Sequence, residues 1–360
     1  MAKSYDVLGL MSGTSLDGLD LVLARFIQEQ TNWQFEIIKA ETSPYSPSMK
    51  KKLSLLVEAS GFELSHFHAE FGRWMGQEVN RFLEGVNVRP LLIASHGHTV
   101  FHRPDLGFTL QIGCGQHLHA VAGIPVVNDF RSRDVVLGGQ GAPLVPIGDL
   151  LLFSEYEACL NLGGIANISV KNGGRVLAYD LTICNMALNA LAAEIGKAYD
   201  SRGQLAATGK IIPQLLHQLN HLAFISKEGP KSTGWEWFSQ EVEPIIGPSA
   251  GELQDRLRTI CEHIAMQVAE SCRRQLHPPA VILVTGGGAH HDFLIKCIEN
   301  HLSNGMKVFV PSNAIINFKE GLVFAFLGLL RALKQTNVLS SVTGASKDSC
   351  AGTLYGDLTL

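Results

Sequence analysis

At 360 residues the chain is long enough for roughly two domains of about 150 residues each, and 46% hydrophobic against 17% charged residues excludes intrinsic disorder. A net charge of −4 and a pI near 6.4, with no long basic run, argue against nucleic acid or an acidic membrane surface as the main partner. Seven scattered cysteines without CxxC spacing exclude a disulfide framework and point to a reducing cytoplasm.

The N-terminus enters a strand directly, with no apolar segment followed by a cleavage site. No apolar run reaches the ~18 residues a membrane span needs; residues 321–333 come closest and carry Arg331. These features predict a soluble, cytoplasmic, enzyme-like chain.

In chain order, the apolar runs 7–11 and 19–23 flank a polar centre at 12–18, which predicts two buried strands joined by a turn. Gly13 and Gly18 can take backbone angles other residues resist. Thr14, Ser15 and the local amides would then line a concavity suited to a phosphate. The same residues also make an ordinary hairpin tip. Residues 33–42 read as a third strand, Ser48 opens a short helix, and Ser65 opens a longer one to about Gly85. In that helix Phe67, Phe71, Trp74, Met75, Val79 and Phe82 recur at helical spacing, a core stripe. Strands at 91–94, 108–112 and 124–127 follow, with a short helix before the last, an α/β layout.

The stretch 128–146 is rich in glycine and charge and suits an interdomain crossing. Residues 158–169 repeat the opening device: an apolar strand, a Gly-Gly turn and a returning strand. Asn172-Gly173 then marks a hairpin, and residues 175–180 return. The second half thus echoes the first in structure. Helices are expected at 185–197, at 213–223 and from Ser249, whose spacing to Glu252 fits a capping box. Strand 280–285 runs into Gly286-Gly287-Gly288, where a ligand can approach the backbone closely. A plain loop there needs only one glycine. Strand 307–310 and a helix over 319–333 precede a Gly/Ser-rich tail, expected to pack loosely.

Asp180 ends an apolar strand, where a carboxylate is costly unless paired or used. It suits a general base or a cap for the following helix, and position alone favours the cap. His96, His98 and His102 invite a metal, yet no Cys or carboxylate stands at matching spacing. Polar contacts to a substrate, with Thr99 helping, fit better. Arg131, Arg133 and Asp134 suit a carboxylate clamp or an exposed ion-pair cluster. Pro230-Lys231-Ser232-Thr233-Gly234 resembles a scrambled Walker loop but lacks the GxxxxGK[ST] pattern, and is no evidence for that NTPase class. Glu320 opens an apolar helix, where an acid favours the helix dipole without any function.

Nine blocks in order carry a resemblance: GLMSGTSLDGLD, SHGHTVFHRP, TLQIG, VVNDFRSRD, GGQGAPLVP, LNLGGIANIS, PKSTG, VTGGGAHH and SVTGA. By these the chain resembles the anhydro-N-acetylmuramic acid kinase family, within the actin/sugar kinase/Hsp70 superfamily, over nearly its whole length. The resemblance implies an α/β fold of two ribonuclease-H-like domains with an interdomain nucleotide cleft that closes by a hinge. The domains would span 1–140 and 141–335, with a tail, 336–360, packing back on the N-terminal domain.

It further implies ATP contacts at Gly13, Thr14, Ser15, Leu16, Asp17, Gly18, Leu19 and Asp20, at Gly163, Gly164 and Asn167, and at Gly286, Gly287 and Gly288. The base falls on Asp180, and sugar contacts fall on His96, Thr99, Arg131 and Glu320. The implied reaction opens a 1,6-anhydro sugar with water and phosphorylates O6 from ATP, in peptidoglycan recycling. Magnesium is expected, with ligands unassigned, as is a homodimer. Where the family reads YDTGPGN, this chain reads Tyr179-Asp180-Leu181-Thr182-Ile183-Cys184-Asn185, so the Gly-Pro-Gly is lost. A later Asp of that block is Asn189, the usual Gln after His-Gly is His98, and the usual Asn after the triple glycine is His291. These departures bear on turnover and sugar preference rather than fold. They leave a nucleotide- or muropeptide-binding sensor, or a kinase of another amino sugar, as alternatives.

Overall fold

In a computed structural model, which describes residues 2–13, 16–173, 175–227, 231–247 and 251–359, the apolar runs at the N-terminus become long paired strands. β1 (Lys3–Ser12), β2 (Gly18–Glu29) and β3 (Asn32–Pro44) form an antiparallel meander. α1 (Pro47–Leu55) is capped by Ser46, whose side chain accepts the Met49 amide. α2 (Gly61–Leu83) starts a turn before Ser65, because Ser60 and Glu63 form a reciprocal capping box. Its Phe67, Phe71, Met75, Val79 and Phe82 are buried in the core, as the stripe predicts. β4 (Leu92–Arg103) carries the whole His-rich segment as strand and is followed by β5 (Phe108–Ile112). Then come α3 (Gly115–Ala122), β6 (Val126–Asn128), α4 (Ser132–Val136) and α5 (Pro146–Leu152).

The second half opens with β7 (Ala158–Leu162), β8 (Ile165–Asn172) and β9 (Arg175–Ile183). α6 (Asn185–Ala193), α7 (Pro213–Asn220) and the short α8 (Trp235–Trp237) and α9 (Glu243–Ile246) follow. The capping box expected at Ser249 lies outside the described residues; α10 (Leu253–Gln275) has Glu252 at its N-cap without a side-chain bond. β10 (Ala280–Thr285), α11 (Asp292–His301) and β11 (Met306–Phe309) complete this half. α12 (Asn313–Ala332), α13 (Ser340–Thr343) and β12 (Thr353–Tyr355) end the chain.

One sheet runs β12-β6-β4-β1-β2-β3, with β5 paired to β4, and the other runs β11-β10-β7-β8-β9. β4 is parallel to β1 and β6 to β4; β10 is parallel to β7 and β11 to β10. Thus β3-β2-β1-β4-β6 and β9-β8-β7-β10-β11 share one order and one pattern of directions. This is the α/β arrangement expected of two ribonuclease-H-like domains, and the structural echo is real.

Two compact units result: Met1–Phe153 with Phe318–Leu360, and Ser154–Asn317. These limits differ from the divides at 140/141 and 335/336 read from sequence. The reason is packing. α5 sits against α12, with Asp149 and Lys319 paired at 2.6 Å while buried, and a Cβ on Gly148 would meet Val323 at 2.5 Å. α12 also lies directly on β1 and β4: a Cβ on Gly9 would be 2.0 Å from the Gly321 carbonyl, and one on Gly328 2.4 Å from Ala94. α12 is long and apolar enough to cross a membrane by length and composition, but 67% of its most apolar window is buried as core. Nor is the tail loose. β12 pairs with β6, and Asn337 bonds the backbone of Leu327 and Ala351.

Candidate active site

In the first unit, β1 and β4 are parallel neighbours, so their ends lie side by side. Of the turn between β1 and β2, Thr14 and Ser15 lie outside the described residues. The left-handed backbone falls on Leu16, at φ 59°, not on Gly18. Gly18 is required for another reason: a Cβ there would be 2.4 Å from the Ser43 carbonyl of β3. Leu19 turns its side chain into the core, fully buried, which leaves only its backbone for a ligand. Asp17 is exposed. Asp20 is half-buried and accepts the Thr42 hydroxyl at 2.6 Å. Burial raises its pKa, Thr42 opposes the rise and Asp17 adds to it.

His96 and Arg131 form one assembly. His96 Nε2 accepts from Arg131 Nε at 3.1 Å and Nη2 at 2.9 Å, while Nδ1 bonds the Gly97 carbonyl at 2.9 Å. Those partners assign the neutral tautomer protonated at Nδ1. Burial, reinforced by Arg131, holds the His96 pKa well below 6.5. Arg131 Nη1 donates to the Gly141 carbonyl at 2.7 Å. Burial brings its pKa down to about 10, opposed by Glu320, so it stays cationic at neutral pH.

Glu320 sits well inside α12, not in its first turn, so the dipole explanation falls. Burial raises its pKa, Asp20 adds to the rise, and Arg131 and Lys319 oppose it. Its surface is nonetheless exposed: protein crowds this carboxylate, yet water reaches it. Arg131, Glu320, Asp20 and His96 therefore share one electrostatic neighbourhood. Thr99, also on β4, is half-buried, with Gln111 Nε2 3.4 Å from its hydroxyl.

The three histidines do not converge on a metal, and among the described residues no group of three or more His, Cys, Asp or Glu could hold one. His98 is buried, with Nδ1 2.9 Å from Ser12 Oγ, which also accepts the Tyr45 hydroxyl at 2.6 Å. Burial takes its pKa down to about 4. His102 is exposed and meets Thr109 Oγ1 at 3.1 Å. Arg131 and Asp134 are not an exposed ion pair: Asp134 is fully buried and accepts the Gly141 amide at 2.7 Å.

In the second unit the Gly163-Gly164 turn receives the start of α6. The Asn185 amide donates to Gly163 at 3.0 Å, and those of Cys184 and Met186 donate to Gly164 at 2.9 and 3.1 Å. Asn185 Nδ2 donates to the Leu162 carbonyl at 2.9 Å. The triple glycine packs into the same corner. Gly286 is left-handed at φ 81° with Asn161 2.4 Å from an added Cβ, and Gly288 would meet Leu162 at 2.7 Å. Close packing thus accounts for two of these glycines, and the exposed Gly287 is the one left for a ligand. His291 caps α11 by accepting the Leu294 amide at 3.1 Å.

Asp180 lies inside β9, opposite Asn167 of β8, and not at a helix N-cap, which is Cys184. Capping is therefore not its role. Its Oδ2 accepts the Thr233 amide at 2.9 Å, and its own amide donates to the Lys231 carbonyl at 2.9 Å. Burial raises its pKa, and the Thr233 bond opposes that. Lys231 Nζ donates to the carbonyls of Phe224 and Ile225 at 2.9 and 3.0 Å, so it does not act as a Walker lysine. Where the glycines are lost, Leu181, Thr182 and Ile183 continue β9 and Cys184 caps α6, and all four are buried. Thr182 Oγ1 reaches the buried His263 Nε2 at 2.7 Å, and His263 Nδ1 meets Asn220 Oδ1 at 2.6 Å. The Tyr45–Ser12–His98 and Thr182–His263–Asn220 chains are not readable from sequence; Thr182 between Leu181 and Ile183 is the one local signal, and it serves only the second chain.

A family model described as anhydro-N-acetylmuramic acid kinase matches residues 5–357. The chain is 35% identical to the anhydro-N-acetylmuramic acid kinase of Xylella fastidiosa, covering 94% of this chain and 93% of that one. It is 34% identical to the enzymes of that name from Pseudomonas fluorescens, covering 97% and 98%, and Shewanella loihica, covering 99% of each. Among solved structures it is similar to a ROK family glucokinase from Streptomyces griseus in complex with glucose and AMPPNP. There the identity is 14% and the TM-score 0.38, over 89% of this chain and 97% of that one.

Proposed function

We propose, from the premise that the chain belongs to the anhydro-N-acetylmuramic acid kinase family, that Asp180 is the general base of a sugar kinase acting on 1,6-anhydro-N-acetylmuramic acid. One observation carries the assignment. Asp180 is a half-buried mid-strand carboxylate with a raised pKa, and among the described residues only the Thr233 amide bonds its side chain. A base needs a free oxygen and a pKa moved toward neutrality, and both are available here.

Asp180 takes a proton from the water that attacks the anomeric carbon. The C1–O6 bond breaks as the new C1–OH forms, and the released O6 accepts the γ-phosphoryl group of ATP, giving N-acetylmuramate 6-phosphate. Arg131, held by His96 and Gly141, supplies a fixed cation for the sugar's carboxylate, which planar guanidinium recognises well. His96, Thr99 and Glu320 provide further sugar contacts. Gly13 to Asp20, with Gly163, Gly164, Asn167 and the glycines at 286–288, provide backbone and polar groups for the nucleotide.

Magnesium fits the residues present. Asp20 offers a hard carboxylate oxygen beside the negative charges of Asp17 and Glu320, and such ions take one or two carboxylates plus phosphates. When bound it would neutralise charge between the phosphates. A cytoplasmic homodimer serving peptidoglycan recycling completes the reading, supported by family membership. Incubation with ATP, magnesium and the anhydro sugar, followed by mass spectrometry, tests it. The 6-phosphate is expected; tight binding of both ligands without product would contradict it and favour a sensor.

A further inference from the structure

We propose that the C-terminal tail completes the sugar-binding part of the site: Thr343, through buried Asp134 and the Gly141 backbone, is a positioning residue for Arg131. The inference rests on the reading of Arg131 as a sugar contact. Its links are short and consecutive. The Thr343 hydroxyl donates to Asp134 Oδ1 at 2.7 Å, across 209 residues of sequence. Asp134 Oδ2 accepts the Gly141 amide at 2.7 Å, and the Gly141 carbonyl accepts Arg131 Nη1 at 2.7 Å. Thr343 and Asp134 are 1% and 0% exposed, so water does not replace either partner.

The loop at 138–141 belongs to no strand or helix, and its shape depends on these bonds. Gly141 is left-handed at φ 67°, and a Cβ on Gly139 would lie 2.2 Å from Asp134 Oδ2. The carboxylate is thus what the loop is wrapped around. Two further bonds tie tail to loop: Gln140 N donates to the Thr343 carbonyl at 2.8 Å, and Ser346 N to Leu137 at 3.0 Å. Upstream of Arg131, β12 pairs Thr353 with Asn128. The tail therefore grips both flanks of the segment that carries Arg131. Loss of the Thr343 hydroxyl leaves a buried carboxylate oxygen short of a donor. A carboxylate that turns to recover a partner pulls on the Gly141 amide bonded to its other oxygen, and the Gly141 carbonyl that holds Arg131 moves with it.

Thr343→Val removes the hydroxyl and keeps the shape, and Thr343→Ser keeps the hydroxyl. In the full chain, T343V should raise the KM for 1,6-anhydro-N-acetylmuramic acid roughly 10-fold, the weight of one hydrogen bond to a charged group. The KM for ATP should stay unchanged, and T343S should behave as wild type. Amide exchange at Gly141 should speed up by a similar factor in T343V. Should T343V not fold, Asp134→Asn probes the same relay and should give the same split between the two KM values. A wild-type sugar KM, parallel rises in both KM values, or failure of T343S to restore them would overturn the proposal. If the wild-type protein does not phosphorylate this sugar, the functional reading fails instead. Exchange at Gly141 needs no substrate and still decides the latch, with unchanged exchange in T343V overturning it.

Discussion

Mild acid should destabilise the second unit through His263, a residue that touches no ligand in the proposed mechanism. His263 is fully buried on α10, its Nδ1–H donating to Asn220 and its Nε2 accepting from Thr182. Burial pushes its pKa from 6.5 down to about 3. The native protein thus keeps it neutral, while the unfolded chain takes up a proton below pH 6.5. Stability from this group is complete above pH 6.5 and is lost as pH falls toward 3. By proton linkage the loss is about 2 kcal/mol at pH 5 and about 3 kcal/mol at pH 4. Domain stabilities of ~5–15 kcal/mol make that a large fraction. His263→Gln offers an acceptor to Thr182 and a donor to Asn220 but does not titrate. Urea unfolding can be followed by fluorescence at pH 7 and pH 5, with Trp235 and Trp237 reporting from this unit. Wild type should lose about 2 kcal/mol more than the variant between those pH values. Equal losses in the two proteins would refute a neutral, buried His263.

Two further substitutions test the first unit. Gly9→Ala places a Cβ 2.0 Å from the Gly321 carbonyl. That carbonyl and the Ala325 amide nitrogen, 2.9 Å away, are both backbone, so α12 must lift from β1, and urea unfolding should show a loss of about 3 kcal/mol. An unchanged midpoint would contradict the close packing of that helix. Arg131→Lys keeps the charge but not the fork that holds His96 Nε2 and Gly141 O together. The sugar KM should rise roughly 10-fold or more while the ATP KM stays put; equal sugar KM values would remove Arg131 from the sugar site.

Periodicity made much of this fold legible. The apolar runs at residues 7–11, 19–23 and 280–285 are strands, and the aromatic stripe of α2 is core, because burial on one face leaves a local pattern. Boundaries were less legible. The Ser60–Glu63 capping box is written in the sequence, yet the stripe draws attention to Ser65 instead. Glu320 reads as a first-turn acid only if the helix is started at Lys319, whereas α12 begins at Asn313 and takes in Ala314, Ile315, Ile316 and Phe318. Contacts between distant segments left no local trace. Gly18 looks like a turn glycine, but its small size serves β3, and the partner of Asp134 lies 209 residues away. At the candidate site the glycine-rich turns stand out by residue type, whereas Asp20 is placed only by the family resemblance, and Asp180 and Glu320 read by position as a cap and a helix-dipole acid. The Arg131–His96 pairing and the buried Ser12–His98 contact do not stand out at all, because each depends on strand register and tertiary approach.

Asp180→Asn tests the central assignment most directly. An asparagine oxygen can still accept the Thr233 amide, so the tether to residues 231–234 survives while basicity is removed. General-base catalysis contributes ~10²–10⁴-fold, so kcat should fall by that order with the KM values for sugar and ATP little changed. A near-wild-type kcat, with the 6-phosphate still formed, would show that Asp180 only tethers its neighbours and that the base lies elsewhere.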